Sequence, residues 1–199
     1  MKRLLIVGAS GHGRVAADIA TRIGYTDIAY LDDAPRDGVI GTVADAADYI
    51  ETADFFVAIG NSRIRERIQR QLEQAGASVV TLIHPSAVIA SNVTVGRGTM
   101  VAAGAILCPN TTLGDGVIVN TAASVDHDCT VGAFSHVSVG AHVCGTVHIG
   151  ERTWIGAGAT VINNVDITAD CMIGAGAVVV KTLTVSGVYK GVPATLSRG

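Results

Sequence analysis

The chain has 199 residues, 49% of them apolar and only 4% aromatic, with 24 glycines and a net charge of −3. That suffices for one large domain or two small ones, built on small aliphatic side chains and many turns. A pI near 6.0 gives no reason to expect nucleic acid or anionic lipid as a partner. No apolar run reaches the roughly 18–20 residues of a membrane span.

The N-terminus reads MKRLLIVGASGHG. Its basic start and short apolar run could pass for a signal peptide, but the run stops in a glycine-rich hexapeptide without a cleavage site. A buried first strand over residues 3–9 is expected instead. Residues 14–24 are helix-compatible and end at Gly24, a C-cap. A second strand, 28–33, ends in Asp32 and Asp33, and a third covers 54–60. Residues 62–76 predict a helix with Ser62 as N-cap, an apolar face of Ile64, Ile68, Leu72 and Ala75, and Gly76 as its stop. A fourth strand covers 78–84. This order implies a small Rossmann-like α/β domain with a parallel sheet over residues 1–82.

The second half, residues 83–199, has a different rhythm. From Ile83 to Val185 every sixth residue is Val, Ile or Leu, eighteen positions without a miss. Four residues after each of the first sixteen lies a small or β-branched residue, from Ala87 to Ala177, and glycine often follows the aliphatic position. A six-residue period fits neither a helix nor a simple strand. It is the hexapeptide signature of a parallel β-helix, with three hexads per triangular coil and about six coils. Both repeating positions point into the prism. Cys129 and Cys171 fall in the small inward slot and read as packing residues. Cys108 and Cys144 follow the aliphatic position, with no activating partner evident. None of the four cysteines has C-x-x-C spacing, so all read as free thiols in a reducing cytoplasm.

The same register sorts the histidines. His127 lies two residues after Val125 and points outward, between Asp126 and Asp128. Alone, it could be a metal ligand, a general base or a solvated residue. His136, His142 and His148 also point outward, but six residues apart they occupy three different faces. A metal needs its ligands within about 2 Å, so only neighbouring subunits could gather them. No metal is expected, and His142 and His148 read as surface residues.

The loop Gly8-Ala9-Ser10-Gly11-His12-Gly13 follows a strand and precedes a helix, which suits a phosphate on backbone N–H groups. Its order is not G-x-G-x-x-G. Asp32 and Asp33 lie where an acid reads a ribose in dinucleotide folds, so an NAD-dependent reading follows. Against it, only about eighty residues precede the coils, roughly one mononucleotide-binding half. A tight turn with no ligand is the remaining alternative.

Several stretches together carry a family resemblance: GASGHG (8–13), LDD (31–33), AIGN (58–61), NTAASVDHDCTVGAFSHVSVGAHVCG (120–145) and KGVPA (190–194). They resemble the bacterial nucleotide-sugar acetyltransferases of the hexapeptide-repeat family, with a left-handed β-helix. The similarity is strongest to the N-acetyltransferases of bacillosamine (protein-glycosylation) pathways; sialic-acid O-acetyltransferases are relatives. The resemblance covers nearly the whole chain. It implies that His127 is a general base and that Asp128 orients it, although close relatives carry the longer Glu and Asp126 could compete. It implies that His136 contacts the acetyl thioester and that Asn120 is a polar neighbour of the base. The implied donor is acetyl-CoA, lying between adjacent prisms of a homotrimer. Gly145, Ala157 and Ala175 would line its pantetheine, Val192 and Pro193 would meet its adenine, and Lys181, Lys190 and Arg198 are candidates for its phosphates.

The resemblance assigns the glycine loop to a nucleotide sugar. Ser10, Gly11 and His12 would hold the pyrophosphate, and Asp32, Asp33 and Gly60 the nucleoside, with Asn61 and Arg63 as neighbours. The implied reaction is acetylation of the 4-amino group of a UDP-linked 4-amino-4,6-dideoxy sugar, by direct transfer in a ternary complex in the cytoplasm. The alternatives are O-acetylation of sialic acid or another sugar, a non-catalytic nucleotide-sugar-binding trimer, and a metal-dependent β-helix enzyme.

Overall fold

The apolar run at the start of the chain forms a strand buried on both faces. In the computed structural model, which describes residues 2–197, β1 covers Arg3–Val7 and Leu4, Leu5, Ile6 and Val7 are fully buried. Each such aliphatic side chain contributes about 1.5–3 kcal/mol relative to exposure. The chain divides into two units, Met1–Pro85 and Ser86–Gly199.

The first unit holds α1 (Gly11–Arg22), β2 (Ile28–Leu31), β3 (Val39–Gly41), β4 (Ala53–Val57), α2 (Ser62–Gln74) and β5 (Ser78–Val79). The five strands are parallel, in the order β3-β2-β1-β4-β5. The sheet packs its core from Leu5, Val7, Leu31, Phe55 and Val57 against Ile68 and Leu72 of α2. The order reverses direction between β1 and β4, the switch point where open α/β sheets leave a crevice beyond their carboxyl ends.

Several details of this unit differ from the sequence expectation. The first helix begins at Gly11, inside the glycine loop, because Gly13 can press against Gly8. A Cβ on Gly13 would collide with the carbonyl oxygen of Gly8. The cap of α2 is Asn61, not Ser62. Asn61 is extended at φ −65°, ψ 117°, and its side chain accepts from the Ile64 N–H at 3.1 Å. The buried face of α2 contains Arg65 and Gln69 beside Ile68 and Leu72, while Ile64 and Ala75 are exposed. Arg65 is drawn inward because the loop after β4 turns its carbonyls to the helix. The guanidinium donates to Ile59 O at 2.7 Å and Gly60 O at 3.0 Å. The sequence also gave no sign of β3 or of the 3-10 helix Val43–Tyr49, which is held by a reciprocal Thr42–Asp45 capping box.

The second unit is a left-handed β-helix. Sixteen two-residue strands from Val88–Ile89 to Val178–Val179 recur every six residues. Those from Val88–Ile89 to Thr160–Val161 pair in parallel with the strand eighteen residues on, as in Ser124↔His142 and Thr130↔His148. Val101, Leu107, Val119, Val125 and Val131 fill the prism with no exposure, and Cys129 and Cys171 fill the small inward slot. Corners turn through left-handed residues. One column of them, eighteen apart, is Asn92, Asn110, Asp128, Thr146 and Asn164, all with φ between 57° and 63°. Asn and Asp tolerate that conformation better than other side chains. The period fails at its end. Val185 is 57% exposed, and Leu183, bridged to Ile167, takes the inward place because the chain there leaves the coil.

Candidate functional site

Two clefts, one in each unit, hold part of the set of residues singled out by sequence.

In the first unit a cleft of about 360 Å³ opens at the switch point, lined by Gly8, Ser10, Asp32, Asp33, Gly60 and Arg67, among others. Ser10 precedes α1 and its hydroxyl makes no cap hydrogen bond. The first turn of α1 has no acidic side chain, so its N–H groups and the positive end of the helix suit a phosphate. The two acids also hold the fold. Asp32 accepts from Ala9 N at 2.7 Å and from Ala34 N at 2.9 Å, and these backbone donors hold its carboxyl below the usual carboxylate range. Asp33 accepts from Val43 N at 3.1 Å. Ser10, Asp32, Asp33 and Gly60 thus line one cleft.

Gly11 and His12 do not line this cleft. Burial, helped by the charge of Arg65, pushes the His12 pKa down to about 4. Its ring is therefore neutral at physiological pH and brings no positive charge to a pyrophosphate. Asn61 is engaged as the cap of α2. Arg67, Ile64 and Val43 line the cleft but were not foreseen, because their contribution depends on where α2 and the 3-10 helix pack.

In the second unit His127 and Asp128 form a corner turn. Asp128 Oδ2 lies 2.8 Å from His127 Nδ1. Asp126 instead accepts from the His127 backbone N–H at 2.8 Å. Asp is therefore long enough, and Asp128 is the acid on the ring. The Asp128 hydrogen bond is the largest influence on His127 and, with desolvation opposing, holds its pKa above the ordinary imidazole value of 6.5. With Nδ1 facing a carboxylate, Nδ1 carries the proton and Nε2 keeps the free lone pair.

The ring lies on Gly145. A Cβ added there would fall 2.5 Å from His127 Nε2. His127, Asp126, Cys144, Gly145, Thr146, Asn163 and Asn164 line a cleft of about 330 Å³. The two asparagines follow the next coil's strand at the same corner, eighteen residues on from Gly145 and Thr146. That period could have found them.

Asn120 and His136 form a separate pair, 3.1 Å apart between Nδ2 and Nε2. His136 occupies an outward position yet is buried at 6% exposure, with its ring tilted 40° against Trp154 at 4.7 Å. The expected set of four is therefore split within one chain. Asn120 ends one face of the prism, and His127 lies at the far corner of the next face, beyond Ser124–Val125.

The acetyl-CoA residues are split in the same way. Gly145 shares the His127 corner, whereas Ala157 and Ala175 are exposed at the corner after Trp154–Ile155 and Met172–Ile173. Val192 is 72% exposed, and its bond to the exposed Pro193 is cis. Lys181 and Lys190 are exposed; Arg198 lies outside the described residues. His136, His142 and His148 lie in three different sheets. His142 and His148 are exposed, and His142 pairs with Ser124 at 2.8 Å. Burial raises the thiols of Cys108, Cys129 and Cys171 above the ordinary value, the opposite of what activates a nucleophile. Among the described residues, no helix is long and apolar enough to cross a membrane.

Comparison with known proteins adds the following. Residues 3–72 match the PglD N-terminal domain family, and residues 146–181 match the bacterial transferase hexapeptide (six repeats) family. The chain is 31% identical over 113 residues to UDP-N-acetylbacillosamine N-acetyltransferase of Bacillus subtilis (strain 168), a match spanning 52% of this chain and 52% of that protein. Its fold matches the acetyltransferase domain of PglB from Neisseria gonorrhoeae FA1090 with a TM-score of 0.96 at 39% identity, covering 99% of this chain and 100% of that one. The same domain is known in complex with acetyl coenzyme A. PerB from Caulobacter crescentus, in complex with CoA and GDP-perosamine, matches with a TM-score of 0.95 at 38% identity, over 100% of this chain and 98% of that one.

Proposed function

The chain belongs to the bacterial nucleotide-sugar acetyltransferase family of hexapeptide-repeat proteins, and on that premise we propose that it transfers acetyl from acetyl-CoA to the 4-amino group of a UDP-linked 4-amino-4,6-dideoxy sugar. The observation that carries this reading is the His127–Asp128 pair, seated on Gly145 at the edge of an open cleft. An amine attacking a thioester must lose a proton. His127 Nε2 has the free lone pair to take it, and Asp128 stabilises the imidazolium that results. The N–C bond forms as the C–S bond breaks, and the proton on His127 is returned to the departing thiolate. No nucleophile on the protein is needed, since holding the two substrates together supplies the rest.

The cleft at the end of β1 and β4 is the nucleotide site in this reading. Ser10 and the first turn of α1 meet the pyrophosphate, and Asp32, Asp33 and Gly60 meet the nucleoside. Gly11, outside the lining of the cleft itself, opens α1 and so directs the N–H groups of its first turn. His12 supports the loop from behind as a neutral ring.

The active unit is a homotrimer. Its support is the splitting of the expected set within one chain: Asn120 and His136 stand apart from His127 and Asp128, and Ala157 and Ala175 stand apart from Gly145. A neighbouring copy can supply the missing half of each group, with acetyl-CoA in the groove between prisms and Val192 and Pro193 at its adenine end. Free thiols at all four cysteines fit a cytoplasmic enzyme.

The test is thiol release from acetyl-CoA with UDP-, dTDP- and GDP-linked 4-amino sugars, the free amino sugar, and a sialic acid. Release with the UDP-linked amine is expected. Preference for the GDP-linked amine corrects the nucleotide, and preference for the sialic acid overturns N-acetylation. Equal release with the free sugar overturns the role of the N-terminal unit. Light scattering should give a trimer mass.

A further inference from the structure

The left-handed corner column that carries Asp128 is linked by side chains as well as by backbone. Asn92 Nδ2 approaches Asn110 Oδ1 at 3.4 Å, and Asn110 Nδ2 donates to Asp128 Oδ1 at 2.9 Å. The other oxygen of Asp128 faces His127 Nδ1 at 2.8 Å. An ionised carboxylate only accepts hydrogen bonds, so the amide of Asn110 must turn its nitrogen toward Asp128 and its oxygen toward Asn92. The orientation of the whole chain of groups is then fixed.

Asp128 needs such a partner. Its side chain is 51% exposed, and in an exposed site a carboxylate can rotate away from the ring at little cost. The 18-residue coil repeat places Asn110 directly beneath it, on a backbone held by the Asp128 N–H donating to Pro109 O at 3.0 Å.

The geometry points to Asn110 as a positioning residue for catalysis: it holds the Asp128 carboxylate in the one orientation that fixes the tautomer of His127, and Asn92 holds Asn110 in turn. This rests on the reading of His127 as the base. The charged and titratable groups that face His127 are Asp128 at Nδ1, Asp126 at its backbone N–H, and the half-buried thiol of Cys144 in the same cleft. Asn110 touches none of the reacting groups, so its effect must pass through Asp128.

Two roles for Asn110 predict opposite shifts in His127. If Asn110 only drew charge from the carboxylate, its removal would strengthen the Asp128–His127 bond and raise the His127 pKa. If Asn110 positions Asp128, its removal lets the carboxylate wander, and the His127 pKa falls toward 6.5.

The experiment uses the full chain with Asn110→Gly, which keeps the left-handed backbone unstrained, and Asn110→Asp, which keeps the size and loses the donor. His127 is followed by NMR titration, its ring signal assigned by its loss in His127→Ala, and turnover is followed by thiol release. The expected result for Asn110→Gly is a His127 pKa lower by a few tenths of a unit or more and a kcat lower by about 5- to 20-fold, with KM within twofold and the melting temperature little changed. Asn110→Asp should lose at least as much kcat. An unchanged or raised His127 pKa in Asn110→Gly, or an unchanged kcat in both variants, overturns the proposal. If His127→Ala remains active, the base reading fails by itself, and the NMR shift still reports whether Asn110 positions Asp128.

Discussion

The two units assign their polar groups differently. In the α/β unit the two acids lining the cleft also hold the fold together: Asp32 ties down Ala9 and Ala34, and Asp33 ties down Val43. Just behind the lining, Arg65 and Asn61 secure the loop and helix after β4. In the β-helix the coil is held by its inward aliphatic residues and by backbone pairing between coils. His127 and Asp128 stand outside it, with side chains 56% and 51% exposed. A cleft made from sheet loops therefore couples binding to stability, whereas a corner of the coil presents reactive groups on a frame that does not need them. Substitutions should separate the two regions accordingly.

The largest effect is expected from Gly13→Ala, whose new Cβ would meet the Gly8 carbonyl. It should destabilise the α/β unit by about 3 kcal/mol or more, seen by circular dichroism as early melting of the helical signal while the β-signal of the coils persists. If both signals melt together at the wild-type temperature, the tight Gly8–Gly13 contact is not a stability element.

Asp128→Asn should act in the opposite sense, on activity with little change in melting. An amide nitrogen turned toward His127 would have to donate to Nδ1, which moves the ring proton to Nε2 and removes the base. A fall in kcat on the order of 10- to 100-fold is expected. The sign of the pH effect follows from the raised pKa of His127. The base works when neutral, so activity is present above that pKa and is lost as pH falls through it. In the wild type this limb lies above pH 6.5. It should move to lower pH in the variant, read from kcat/KM against pH.

Gly145→Ala places a methyl where the His127 ring now lies, 2.5 Å from Nε2. Because the ring is exposed it can swing aside, so the fold should survive. The misplaced base should cost on the order of 10-fold or more in kcat. Wild-type kinetics in this variant would show that the ring does not need its glycine floor.

The smallest effect returns to the α/β unit. Asn61→Ala should lower stability by about 1 kcal/mol through loss of the helix cap, whereas Ser62→Ala should change little. Equal urea midpoints for the two variants would contradict the assignment of the cap.

The sequence made the coil more legible than the sheet unit for a physical reason. A six-residue period repeated over sixteen strands leaves one register, and that register alone places Val125 and Cys129 inside and His127 outside. It could not say that His136, also outward, is covered by Trp154, because the period gives direction and not neighbours. It overran at Val185, where an aliphatic residue continued the pattern after the chain had left it. In the α/β unit, Arg65 and Gln69 look like solvated helix residues, and the burial of Arg65 becomes visible only when the carbonyls after β4 are seen facing it. The choice between Asp126 and Asp128 needed side-chain geometry, since both flank His127 in sequence.

The central claim is that His127 removes a proton from the sugar amine. Its most direct test is the turnover of His127→Ala with acetyl-CoA and the nucleotide-linked 4-amino sugar, beside calorimetric binding of each ligand and a thermal melt. The account predicts a kcat lower by roughly 10²- to 10⁴-fold, with both ligands still bound and the melting temperature unchanged. Near wild-type turnover in a folded His127→Ala protein would contradict it.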